Sequence, residues 1–396
     1  MTEKLYYIDS YLRQFQANIL SQIQAENGYE VVLDRTAFYP TSGGQPHDLG
    51  NLQASSVRNV YENDQGEIIH SVDKPVETGT VECQVDWSRR FDHMQQHTGQ
   101  HVLSQAFLRT SKLNTMGFHL GADYVTIDLE AENISSEQLH QAEDLANSIV
   151  FENRPTKVRI ASTEEVPHLG LRKESQREGP LRVVEVEGFD VSACGGTHVK
   201  HTGEIGQIFI RKSERVNRQA RIEFVCGQRA LLAHRSGIQN LTSIAHQFSV
   251  GLDEAPERVA KQIQEAKELL KLLQNKNKTL AGLLAKDLYD RAVMQQGFKL
   301  IKQCLEGEEM EFLKRLAQSI LAQGESVVLL GTKGNPSLLL LAESESLRWD
   351  LRQVLPECCK LIEGKGGGSR TLVQAGGKAS EKLQAALDFA VSWLLP

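Results

Sequence analysis

The chain has 396 residues, enough for two or three domains that each bury a core. Forty-four basic residues against 51 acidic ones leave a formal charge of -7, which speaks against a general nucleic-acid binder but leaves room for a local basic patch. No run approaches the about 20 apolar residues of a membrane helix, so no membrane partner is expected. The N-terminal stretch MTEKLYYIDSYLRQF is polar throughout and unlike a signal peptide, and six scattered cysteines lack the density of a disulfide scaffold. Together these predict a reduced, cytoplasmic protein.

In chain order, residues 1–90 read as strands, with alternating segments such as GYEVVLDRTAFY, VRNVY and TVECQVDW separated by turn-rich pieces. TSGGQPHDLG (41–50) is predicted to be a tight loop, and a small β-barrel is the natural architecture. FDHMQQHTGQHVLSQAFLRT then has helical periodicity, with Met94, His97, His101 and Phe107 broadly on one face. A strand at YVTIDLE and a helix opening at Ser135 follow. KVRIAS, LRVVEVEG, GQIFIRK and ARIEFVCG are further strands, giving an α+β domain with a largely antiparallel sheet over 91–245.

Residues 253–290 carry a heptad seam: Val259, Ile263, Ala266, Leu270, Leu273, Asn277, Leu280 and Leu284. The seam suits a coiled coil or a long helix packed on its own chain. Residues 295–396 read as a compact α/β module containing the glycine-rich EGKGGGSRTLVQAGGK (363–378).

Two motifs carry chemistry. His97 and His101 stand four apart on the predicted helix, so both imidazoles project the same way and can close on one metal ion. Downstream, CGGTH places Cys194 four residues before His198, with two glycines between them that let the chain turn sharply. One thiolate and three imidazoles make a four-coordinate set that suits one Zn2+ per chain, with His201 as a rival ligand. The metalloprotease pattern H-E-x-x-H is absent, because Thr98 stands where its general base would be.

The combination of FYPTSGGQPHDLG, HTGQHVLSQAF and CGGTH resembles the editing part of alanyl-tRNA synthetases and their stand-alone relatives, the alanyl-tRNA editing proteins of AlaX type. Residues 252–396 look like the C-terminal domain of those synthetases, which makes the chain similar to the long form of the editing protein. The resemblance implies a barrel domain with a glycine-rich loop (1–90), a zinc-containing editing domain (91–245), a helical linker (253–290) and a synthetase-like C-terminal module (295–396). It places the zinc ligands on His97, His101, Cys194 and His198. The implied activity is hydrolysis of mischarged Ser-tRNA(Ala), and of Gly-tRNA(Ala) in some members, with Ala-tRNA(Ala) spared. The rationale is that an alanine pocket cannot strongly reject an analogue that only adds a hydroxyl, so a second site must remove serine.

Gln100, Thr115 and His119 are candidates to recognise that hydroxyl, beside the readings of core or surface packing. Gly43, Gly44 and Gln45 match the family loop and could approach the CCA end or simply form a turn. Asp190 could orient a ligand histidine or cap a strand end. Arg211, Lys212, Arg215, Arg218 and Arg221 form a local basic run that could track phosphates. Lys365 and Arg370 flank the C-terminal glycines, where a turn could bind anions. The 259–284 seam or the C-terminal module offers a route to a homodimer. The rival functions are a non-catalytic zinc-containing tRNA-binding protein and editing of another misacylated tRNA, such as the threonyl type.

Overall fold

The computed structural model describes residues 2–174 and 179–395. The chain divides into two compact units, Met1–Ile244 and Ala245–Pro396.

In the first unit a closed antiparallel barrel runs in the order Gln14–Ala25, Gly28–Leu33, Ile68–Val72, Ser55–Glu62, Gly50–Leu52, Thr80–Val85. Period-2 patterning builds it: Val81, Cys83 and Val85 point in, while Thr80, Glu82 and Gln84 face solvent. Closure leaves no free sheet edge, which is how a small all-β element avoids unpaired backbone groups.

The first helix, α1 (Trp87–Ser111), leaves the barrel at an Asp86 cap whose carboxylate accepts from Arg89 N. Arg90 on this helix is fully buried and forked onto Asp48 of the barrel, and it also donates to Ser10 O at 2.9 Å. A buried ion pair is tolerable only when its remaining donors and acceptors are partnered, and here they are. The pair fixes the barrel against α1.

Helix α2 (Ser136–Phe151) begins in a capping box formed by Ser135 and Gln138. Both helices pack on an antiparallel sheet ordered Ile208–Val216, Gln219–Cys226, Val125–Leu129, Thr115–Leu120. A separate three-stranded sheet holds Thr156–Ala161, Leu181–Val186 and Asp190–Ala193. The expectation of one apolar face on α1 is too narrow. The helix is buried almost all round from Arg90 to Phe107, which forces its polar residues to find partners. Gln96 clamps the backbone N and O of Cys226, and Gln95 donates to Glu204 O. Helix α3 (Gly227–Phe248) was not anticipated in the sequence.

In the second unit, α4 (Ala255–Arg291) precedes a six-stranded sheet ordered Met294–Gln295, Phe298–Glu306, Ser326–Lys333, Ser337–Glu343, Leu372–Gly377, Gly364–Gly368. Phe298–Glu306 and Ser326–Lys333 pair in parallel through the crossover helix α5 (Met310–Leu321). The apolar runs VVLL and LLLL bury both faces of the sheet. Val328, Leu330 and Leu340 meet α4 and α5, while Val327, Leu329 and Leu339 meet α6 (Leu355–Leu361) and α7 (Leu383–Leu394). Of the helix residues, Ala281 and Ala285 are buried against α5 and the sheet. The seam residues Ile263, Leu270, Leu273 and Leu280 are between 50% and 60% exposed, whereas Leu284 at the end of the seam packs on the core of its own unit.

Most of the glycine-rich stretch is strand rather than turn. Gly364–Gly368 is an extended strand paired antiparallel with Leu372–Gly377. A Cβ on Gly366 would stand 2.4 Å from Gln374 O, and one on Gly364 would stand 2.1 Å from Gly376 O. Close approach of two backbones, rather than a nest of N–H groups, accounts for those two glycines. No helix among the described residues is long and apolar enough to cross a membrane.

Candidate metal centre

Four side chains converge between α1 and the loop after Asp190–Ala193. His97, His101, Cys194 and His198 each offer one ligand atom, and these atoms all lie within 4.8 Å of one another. The thiol Sγ stands 3.4 Å from His97 Nε2 and 3.3 Å from His198 Nε2. Tetrahedral zinc with a Zn–S bond of about 2.3 Å and Zn–N bonds of about 2.0 Å sets ligand atoms roughly 3.5 Å apart, so the donor set fits the ion.

The second ring nitrogen of each histidine is held by a different partner. His97 Nδ1 donates to Gln45 Oε1 at 2.8 Å, and Gln45 in turn donates to Thr197 Oγ1 and accepts from Thr197 N. His198 Nδ1 stands 3.1 Å from Thr98 Oγ1, whose own proton goes to Met94 O at 2.8 Å. His101 Nδ1 stands 3.2 Å from Asp190 Oδ2. Each contact ties Nδ1 to a separate partner, the outer arrangement expected around a metal-binding imidazole.

Local sequence explains the placement. Gly43 and Gly44 take φ of +57° and +84°, and Ser42 and Gln45 exchange both backbone hydrogen bonds across them. That tight turn needs glycine and delivers Gln45, fully buried, to His97. Gly44 has a second constraint, since a Cβ there would lie 2.8 Å from the Phe118 ring, and Phe118 stacks on His97. In CGGTH, a Cβ on Gly196 would stand 2.2 Å from His97 Cε1, whereas Gly195 has its nearest neighbour at 3.4 Å.

The electrostatics follow from burial and proximity. Burial opposes ionisation of Cys194, but three imidazoles hold its thiol well below the ordinary range. Burial drives His198 down to about 3. It acts the same way on His101, where the Cys194 thiolate and the Asp190 carboxylate outweigh it and raise the ring to about 9. Asp190 stays below the usual carboxylate range despite burial, because it faces His101, Arg172 and Ser192.

Not every candidate gathers here. Gln100 is buried and donates to Ser104 Oγ, which Thr115 Oγ1 also meets at 2.7 Å. Ser104, Thr115 and Arg172 line a cavity of about 230 Å³. His119 is exposed on its strand. His201 is exposed, lies outside the four-residue group and faces Glu204 at 3.7 Å. In the basic run, Arg211, Lys212, Arg215 and Arg221 pair with Glu223, Glu214, Glu132 and Asp128, and Arg218 sits at the hairpin tip. Lys365 is exposed, and Arg370 is held by Glu343 and the carbonyls of Leu347 and Trp349. Sequence reasoning passed over Thr98, Thr197 and Arg172 as partners of the centre. The first two stand inside HTGQH and CGGTH, where their motif position was the available signal.

Comparison with known proteins gives the family. The family described as the threonyl and alanyl tRNA synthetase second additional domain matches residues 181–223, and tRNA synthetases class II (A) matches residues 6–89. The class defined by fold and site is thus that of the synthetase-associated second additional domain, here joined to a barrel. The chain is 31% identical to the alanyl-tRNA editing protein AlaX-L of Pyrococcus horikoshii, over 100% of this chain and 98% of that one. It is 34% identical to AlaX-M of Methanosarcina mazei, over 60% of this chain and 100% of that one. An alanine–tRNA ligase of Pyrococcus abyssi is 31% identical over 99% of this chain, which spans 44% of the ligase. The chain belongs to the alanyl-tRNA editing proteins of AlaX type.

Proposed function

We propose that this chain is a trans-editing hydrolase. It cleaves the ester between serine, and also glycine, and the 3′ end of tRNA(Ala), and it spares Ala-tRNA(Ala). The observation that carries the reading is the convergence of Cys194 Sγ and three imidazoles whose Nδ1 atoms are each tied to a separate partner. The full-length likeness to AlaX-L supports the alanyl over the threonyl type.

His97, His101, Cys194 and His198 would hold one Zn2+, which supplies positive charge beside the ester when bound. Gln45, Thr98 and Asp190 keep the three rings aimed. Thr115 lies outside the four-residue group, in the cavity it shares with Ser104 and Arg172; it gives its proton to Ser104, and in this reading its oxygen accepts from the serine hydroxyl of a substrate that reaches this cavity. Alanine offers no such donor, and a site built for one loses affinity when it is missing.

In this reading residues 1–90 carry the Gly43–Gln45 loop, 91–245 the editing centre, 253–290 a helical linker and 295–396 a tRNA-associated module. The exposed seam on α4 fits a homodimer contact, and the working compartment is the cytoplasm. The test is deacylation of Ser-, Gly- and Ala-tRNA(Ala), with Ser-tRNA(Ser) as control, by wild-type protein and Cys194→Ala with zinc assayed alongside. Loss of serine from tRNA(Ala) alone, dependent on Cys194, is expected. Zinc-loaded protein that leaves every ester intact would favour a non-catalytic tRNA-binding role.

A further inference from the structure

Arg182 is the side chain at this centre that the editing reading leaves without a task. It lies opposite the ligand loop, where Cys194 N donates to Arg182 O at 3.2 Å and Arg182 Nη1 donates back to Cys194 O at 2.6 Å. The guanidinium is therefore fixed beside the least buried of the four converging residues. Its other two nitrogens, Nε and Nη2, are buried and have no hydrogen-bond partner. No carboxylate among the described residues pairs with it, although Arg90, Arg172 and Arg229 nearby in the fold all have one.

That pattern is costly unless something completes it. A buried donor without a partner costs about 1–3 kcal/mol, and more when it is charged. The Tyr7 ring stands 5.0 Å from the guanidinium carbon and meets part of that need through its π face. Tyr7 is 39% exposed, whereas Tyr6 and Tyr39 behind it are buried. Tyr7 is thus the outer cover over Arg182, and a ligand reaching the guanidinium must turn that ring aside.

The two free nitrogens are not a random pair. Nε and Nη2 form one edge of the guanidinium, and their parallel N–H bonds match two oxygens of a phosphate or carboxylate. Among the described residues Arg172 is paired with Asp190, whereas Arg182 meets the centre only through the backbone of Cys194.

We propose that the Nε/Nη2 edge of Arg182 is an oxyanion site at the mouth of the metal centre, covered by Tyr7 in the free protein. This rests on the editing reading for its source of oxyanion. In an aminoacyl ester the acyl group carries no free carboxylate, so the group offered is the phosphodiester next to the terminal nucleoside. After hydrolysis the carboxylate of the released amino acid has the same chemistry.

The experiment is calorimetric titration of the zinc-loaded, full-length protein with the trinucleotide CCA, with adenosine and with serine, for wild type, Arg182→Gln and Arg182→Lys. Circular dichroism and zinc content report whether each variant is folded and loaded, and lysine retains a donor for Cys194 O should glutamine disturb the fold. Wild type should prefer CCA to adenosine, and the glutamine variant should lose about tenfold of that preference, as for one charge-assisted pair. Lysine, a point charge without the fork, should recover only part of it. Loss of serine binding instead, with CCA unchanged, upholds the oxyanion site and assigns it to the product. Equal binding of all three probes by wild type and the folded variants, or no binding of CCA and serine by wild type, overturns the proposal. The titration needs no turnover, so a protein that fails to hydrolyse esters yet shows the difference would sink the deacylase reading and keep the site.

Discussion

The carboxamide oxygen of Gln45 accepts from Nδ1 of His97 at 2.8 Å, across 52 residues of chain. A loop of the barrel therefore sets the ring of a residue on α1, and the two layers of the first unit share one centre. Replacing Gln45 with alanine removes this acceptor and the contact to Thr197. Loss of an outer-shell partner typically costs 10- to 100-fold in metal affinity, so zinc affinity should fall by about that factor. Competition against a chelator measures it, and unchanged affinity would show that the ring is held by packing on Phe118 alone.

The two glycines of CGGTH should respond differently. Gly196→Ala drives a methyl into His97, 2.2 Å from Cε1, and should release the metal and lower the melting temperature. Gly195→Ala meets nothing closer than 3.4 Å and should keep both near wild type. Zinc content and thermal melts of the two variants give the comparison.

Thr98 occupies the position of the general base in H-E-x-x-H, yet its hydroxyl accepts from His198 and from Val199 N at 3.2 Å. Thr98→Val keeps the shape and leaves both donors unpaired. It should destabilise the loaded protein by roughly 1–3 kcal/mol, while Thr98→Ser, which restores the oxygen, should recover most of that. Denaturant unfolding with and without zinc tests the pair.

Acid sensitivity should arise partly in the barrel. His70 is fully buried, with Nδ1 3.1 Å from Val31 O and Nε2 2.8 Å from Thr36 Oγ1. Burial pushes its pKa from 6.5 down to about 4. The unfolded chain then takes the proton first, so the stabilisation is complete above about pH 6.5 and is lost as the pH falls toward 4. At about 1.4 kcal/mol per pKa unit the loss is roughly 3 kcal/mol. His70→Asn should flatten the stability profile between pH 6.5 and 4 by up to one proton. An unchanged slope would move the effect elsewhere, with His93, held near 3 by burial, as the next group to examine.

Much of the architecture was legible because it rests on local periodicity. Alternation in TVECQV, the capping serine at 135 and the continuous apolar runs near 330 and 340 each fix an element from neighbours within a few residues. The spacings His97–His101 and Cys194–His198 are local in the same way, since each pair shares one helix turn or one loop. Glycines were less legible. The glycine-rich segment at 363–378 reads as a turn by composition, but Gly364–Gly368 is held extended as the edge strand of the sheet by pairing with Leu372–Gly377.

What the sequence determined by itself was two local pairs, His97 with His101 and Cys194 with His198, with His201 still a rival; the structure groups the four and leaves His201 outside. What only the tertiary structure decided was everything those pairs needed from elsewhere. Gln45 lies 52 residues from His97, Thr98 lies 100 from His198, and Asp190 lies 89 from His101. The pairing of the basic run with Glu132, Asp128 and Glu223 was also invisible, as was the bare edge of Arg182. The reason is physical. A residue's spacing along one element determines which side chains leave it together, whereas the partner of a buried polar group is whichever atom the packing of separate layers brings within about 3 Å.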